Sequence, residues 1–228
     1  VSEPPGPSHL LPALGRVVRG LSCLFWGLPL ALVVSVQTAR TNWLAVFGPL
    51  PPLATQALLL FGLALLTGFQ PQERIWRAAL DRAFLLGWAN LGLSPFLYFW
   101  RGIPNETHFQ MALAVLALSG VLFLFNLNYV LQRLAAMLPD ENLRLETQMF
   151  TSVNRGLLLA LLALVAGWTV ASQFEVPVPV FLAPYLPLVP RFLATAIIFL
   201  VLLPLALTMT LLWKVKEVIL TSIFTQGQ

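Results

Sequence analysis

The sequence predicts an all-α polytopic integral membrane helix bundle with six transmembrane helices and both termini cytoplasmic. Three observations lead there. Of 228 residues, 58% are hydrophobic and only 10% are charged, where a soluble domain carries about 25% charged residues. Six stretches are each apolar over roughly the 20 residues a helix needs to cross about 30 Å of hydrocarbon. The basic residues gather in alternate loops. With a mean hydropathy of +0.84, these features exclude an ordinary soluble enzyme and a disordered chain. A single cysteine, Cys23, excludes a disulfide-stapled secreted scaffold.

The expected spans cover residues 17–39, 52–69, 83–100, 109–132, 156–173 and 192–213 of one membrane domain, 1–228. Orientation follows from charge. Arg16, Arg19, Arg74, Arg77, Arg82, Arg133, Arg144, Arg155, Lys214 and Lys216 fall on one side, and Arg40, Arg101 and Arg191 on the other. Cytoplasmic loops retain Lys and Arg, so the richer side is the cytoplasm. The net charge of +4 is then a topology signal and does not point to nucleic acid. Interspersed Glu73, Asp81, Asp140, Glu141 and Glu146 break up any polybasic lipid patch. The first apolar stretch is too long for a signal-peptide core and ends in Val36-Gln37-Thr38-Ala39, a poor cleavage site. It is read as a retained helix, and a bacterial inner membrane as the setting.

Small residues recur at helical spacing in three spans. Span one carries Cys23, Gly27, Ala31, Ser35 and Ala39. Span three carries Ala83, Gly87, Asn90 and Ser94, and span five carries Gly156, Ala160, Ala163, Gly167 and Ala171. Lipid removes the hydrophobic drive between helices, so such ladders signal close packing. Pro29, Pro95 and Pro204 predict kinks. Trp43, Trp76, Trp100, Trp168 and Trp213 lie near span ends and predict an aromatic belt.

Two connections stand out. Residues 134–155 predict a short amphipathic helix along the cytoplasmic surface, beginning near Asp140-Glu141; docking of a soluble partner is its alternative use. Residues 174–191 form an apolar outer loop in which Pro177, Pro179, Pro184, Pro187 and Pro190 preclude a regular helix. It is expected at the outer interface or dipping between helices, together with the apolar segment 47–52. Asn105-Glu106-Thr107 matches a glycosylation sequon, but so short a match beside the membrane reads as accidental.

Chemistry-bearing groups are sparse. No ionisable residue falls near the middle of a span, which argues against a proton-coupled transporter. His9 and His108 belong to opposite sides, so they form no joint metal or haem site. No P-loop, GxGxxG, HExxH or GxSxG pattern occurs. No catalytic residue, cofactor or metal ligand is assigned. The strongest intramembrane feature is polar. Ser119, Asn126 and Arg133 recur every seven residues, Asn128 adds a second line, and Asn90 and Ser94 of span three face them. These six are the candidate polar face, read as interhelical hydrogen bonding or as a pocket for a head group or quinone, with Gln56 as a further member.

The functional expectation is a non-enzymatic multi-pass protein that serves as a structural or interaction subunit of a larger membrane complex. Its partners are the lipid bilayer, other membrane subunits and a soluble partner at 134–155, with no nucleic acid. The alternative is the membrane permease subunit of an ATPase-driven exporter. It rests on a resemblance in general plan to six-span exporter permeases: cytoplasmic ends, a charged loop after span two (70–80) and an apolar outer segment before span six.

Overall fold

Helices α1 (Leu10–Arg40) and α2 (Leu50–Leu66) form an antiparallel hairpin whose closest approach is a pair of glycines. A Cβ on Gly20 would stand 2.8 Å from the carbonyl oxygen of Gly62, and one on Gly62 would stand 3.0 Å from Leu24. One face of α1 thus meets backbone directly, which is how small residues let helices associate without a hydrophobic drive. Gly27, one rung of the predicted ladder, meets Leu59 in the same way. The turn between them is a single 3-10 turn over Ala45–Phe47, closed by Gly48 at φ 59, a left-handed conformation suited to glycine.

The computed structural model describes residues 10–70, 72–104, 106–138, 141–173 and 189–225. The remaining elements are α3 (Arg74–Leu93), α4 (Phe96–Gly102), α5 (Thr107–Ala136), α6 (Glu141–Gln173) and α7 (Val189–Thr225). No strand occurs among the described residues. Residues 139–140, Asn105 of the sequon and His9 lie outside them, as do residues 174–188 of the Pro-rich loop; its last residues, 189–191, are instead the start of α7, where Pro190 falls in the first turn and costs no helical hydrogen bond.

Among the described residues, three helical stretches are long and apolar enough to cross a membrane: Pro12–Arg40, Thr107–Ala136 and Thr195–Thr221. Leu50–Leu66 is apolar but shorter. The long helices are apolar on both sides. Val17, Leu21, Leu24 and Leu28 of α1 are buried, while Trp26, Leu30, Val33 and Val36 are exposed. On α5, Met111, Val115, Leu118 and Leu122 repeat that exposed stripe. A helix that is apolar all round belongs in a protein interior or in lipid, and monomeric soluble proteins rarely expose a continuous apolar patch beyond about 300–600 Å².

Several elements run further than hydropathy suggests. The third expected span is part of a helix that begins at Arg74, because arginine, alanine and leucine are good helix formers whether or not they suit lipid. That helix stops before Pro95, which separates α3 from α4. Pro95 cannot donate to the Leu91 carbonyl four residues back, and the Ser94 hydroxyl donates to it at 2.9 Å instead. Pro29 and Pro204 stay inside continuous helices. The helix expected to lie on the surface within 134–155 is the first part of α6 and runs without a break into the fifth span. No proline interrupts residues 141–173, so nothing forces a turn at the boundary.

The core is dense at the end bearing Arg16, Arg77 and Arg133. There Leu21 and Leu24 pack with Leu63 and Leu66, with Trp76 and Ala83, with Leu131 and Leu134, and with Leu211 and Val215. Trp76 is 1% exposed and packs edge-on against Phe69 at 6.3 Å. It is therefore a core residue and not a member of an aromatic belt. Trp43, by contrast, is 76% exposed. Outside this core, Arg101 on α4 donates to the Thr41 carbonyl at 2.8 Å and to the Asn42 side chain, tying α4 to the end of α1.

Candidate functional site

Away from the basic end the helices diverge around a cavity of about 670 Å³. Every helix contributes to its wall, among them Leu28 and Ser35 of α1, Gln56 of α2, Asn90 of α3, Leu97 of α4 and Phe123 of α5, with Leu158 of α6 and Leu205 of α7. The divergence has a local cause. Across from the bulky leucines of the core, α5 supplies Ala114, Ala117 and Gly120 to the wall, and small side chains leave the space unfilled. A Cβ on Gly120 would meet nothing within 4 Å. The cavity opens at the protein surface, and its lining is almost wholly apolar. Among the described residues no Asp, Glu, Lys, Arg or His lines it.

A hydrogen-bonded node closes its floor. Asn128 of α5, Asn154 of α6 and Thr208 of α7 are all buried, and each lies one helical turn beyond a wall residue: Leu124, Leu158 and Leu205 respectively. The Asn128 and Asn154 amides each donate to Thr208 Oγ1 at 3.0 Å. Asn154 also donates to the Pro204 carbonyl at 3.2 Å, and the Thr208 hydroxyl donates to that same carbonyl at 2.8 Å. One threonine thus joins three helices. Burying these amides without partners would cost several kcal/mol; here both amide N–H groups find acceptors, while Asn154 Oδ1 is left without a donor.

Asn90 differs. It is 3% exposed, it lines the cavity, and its Oδ1 has no hydrogen-bond partner. Ser119 on α5 is also buried with an unpartnered Oγ. A Cβ on Gly87 of α3 would lie 3.7 Å from Phe123 of α5. In an antiparallel pair, Asn90 and Ser119 lie one turn from that contact in the same direction. The α3 ladder of Ala83, Gly87, Asn90 and Ser94 is buried throughout.

The six residues of the predicted polar face therefore divide. Asn90 and Ser119 lie one turn from the α3–α5 contact, each with an unpartnered oxygen, and Ser94 spends its hydroxyl on Leu91. Asn128 faces α6 and α7 instead. Asn126 donates to Leu122, four residues back on its own helix, at 2.9 Å. Arg133 bonds Tyr129 Oη at 3.0–3.1 Å and lies over its ring. A seven-residue repeat drifts around a straight helix by about 20° per heptad, which is enough to send these side chains to different neighbours.

Asn154 and Thr208 were not singled out from the sequence. Asn154 fell in the presumed surface loop, and an isolated threonine in an apolar span carries little signal. A usable signal existed: Leu143, Thr147, Asn154, Leu158 and Leu161 are spaced as one buried stripe of a long helix. On the same helix Gly156, Ala160 and Ala163, expected to pack inward, are exposed, and a Cβ on Gly156 meets nothing within 4 Å. Among the described residues no cluster of His, Cys, Asp or Glu could hold a metal ion. No protein-family model matches the chain, and no curated protein or solved structure does.

Proposed function

We propose that this chain is a six-span membrane bundle with both termini in the cytoplasm, in a bacterial inner membrane, and that it acts without catalysis as a subunit of a larger membrane complex. One observation carries the reading. The ladders of α1 and α3 are used inside the bundle, whereas Gly156, Ala160 and Ala163 form an equivalent ladder on α6 that is exposed among the described residues. In lipid such a face favours a second helix over acyl chains, because small residues let backbones approach. The partner is another membrane helix, seated along α6.

The basic bias supports the orientation, with Arg16, Arg77, Arg133 and Lys214 toward the cytoplasm. The apolar girdle of Trp26, Leu30, Val33, Met111, Val115 and Leu118 supports immersion in lipid. The exporter-permease reading draws on the cavity between the helices and requires an ATPase partner.

Purification in mild detergent, followed by mass spectrometry of bound chains, tests the proposal. Co-purifying membrane subunits are expected, and Gly156→Leu should release them without lowering the monomer's unfolding temperature. A monodisperse lone chain would remove the subunit reading. Recovery of a soluble ATPase would favour the permease.

A further inference from the structure

We propose that the cavity beside Asn90 is a binding site for an uncharged single-chain lipid bearing a hydroxyl group, drawn from the surrounding bilayer. This inference stands apart from the subunit reading, since the cavity lies within one chain.

The volume of about 670 Å³ falls in the usual range for small-ligand sites, about 300–1,000 Å³. The wall is apolar and no charged side chain lines it among the described residues, so a cationic or anionic group would meet no counter-ion there and lose its hydration. That selects a neutral occupant. Water is a poor alternative, because a water molecule needs two to four polar partners and the wall offers few. Ala114, Ala117 and Leu118 of α5 are exposed and also line the cavity. The site therefore opens through the face of α5, one of the helices fit to cross a membrane. An occupant arriving that way comes from lipid.

Asn90 decides the head group. Its Oδ1 is an acceptor without a donor, buried in the wall. An alkane leaves that acceptor unsatisfied, whereas a hydroxyl donates to it and stays available to accept. Asn154 Oδ1 of the floor node also lacks a donor, but Asn128, Asn154 and Thr208 lie outside the cavity lining, whereas Asn90 is part of it.

The test uses the full chain in phosphatidylcholine vesicles with a diazirine-bearing fatty alcohol as photoprobe. Labelling is expected on the α3 and α5 peptides that carry Asn90 and Gly120, and hexadecanol should compete better than hexadecane or hexadecylamine. Gly120→Leu fills the space without a backbone clash and should abolish the labelling. Ala117→Phe serves the same purpose if that variant folds poorly. Asn90→Leu should weaken hexadecanol competition about fivefold to tenfold, the worth of one net hydrogen bond, and leave hexadecane unchanged. Undiminished labelling in folded, cavity-filled protein overturns the site. Equal competition by hexadecylamine or hexadecane, or no effect of Asn90→Leu, overturns the assigned chemistry.

Discussion

The Asn154 amide donates to the Thr208 hydroxyl at 3.0 Å, across 54 residues of sequence and with both side chains fully buried. Because Thr208 also receives Asn128, one oxygen links α5, α6 and α7. Thr208→Val keeps the shape and removes that oxygen, leaving two buried amides each short of an acceptor. A loss of about 1–2 kcal/mol is expected, measured by reversible unfolding in mixed micelles. Asn126→Leu should change stability by only a few tenths, since Asn126 bonds its own helix alone. Equal effects of the two substitutions would deny the node its role.

The α1–α2 crossing makes a second comparison. Gly20→Ala places a carbon 2.8 Å from the Gly62 carbonyl oxygen, which is backbone and cannot rotate away. The hairpin must open, at an expected cost of about 1–3 kcal/mol. Gly156→Ala meets nothing and should raise stability by up to about 1 kcal/mol through helix propensity. Thermal unfolding of both variants checks the pair.

Arg101 holds the turn between α1 and α2 by bonding the Thr41 carbonyl and the Asn42 side chain. Arg101→Ala frees both. Faster proteolysis within residues 41–48 is the expected result, read by mass spectrometry of the fragments, with little change in the unfolding of the core. Cleavage at an unchanged rate would show that the turn is held without Arg101.

Lys214 and Glu146 pair at 2.5 Å between α7 and α6, and Lys214 also lies over the Phe150 ring at 5.4 Å. Both charged groups are partly exposed, so the pair contributes about 0–1 kcal/mol. Glu146→Lys should destabilise by a similar amount, and adding Lys214→Glu should restore the loss. A double-mutant cycle at low and high salt measures the coupling.

Orientation is tested by single cysteines placed beside Arg74 and Arg101 in a Cys23→Ser background. Membrane-impermeant labelling should reach them from opposite faces. Labelling of both from one face would remove the proposed topology.

Composition and periodicity by themselves determined a helical chain suited to lipid, because too few charges exist to cover a water-facing surface and because helix-length apolar runs are a local property. They also identified Asn90 and Asn128 as polar groups within apolar helices. Only tertiary structure decided what each polar group meets. Ser119, Asn126 and Arg133 share a repeat yet serve three different ends, since a helix drifts against a seven-residue repeat and its neighbours fix which side is inside. The ladders on α1, α3 and α6 look alike in sequence. Whether a small residue faces a partner helix or empty surface depends on how distant segments cross. The cavity was invisible for the same reason: a void belongs to no residue and arises from the spacing between helices.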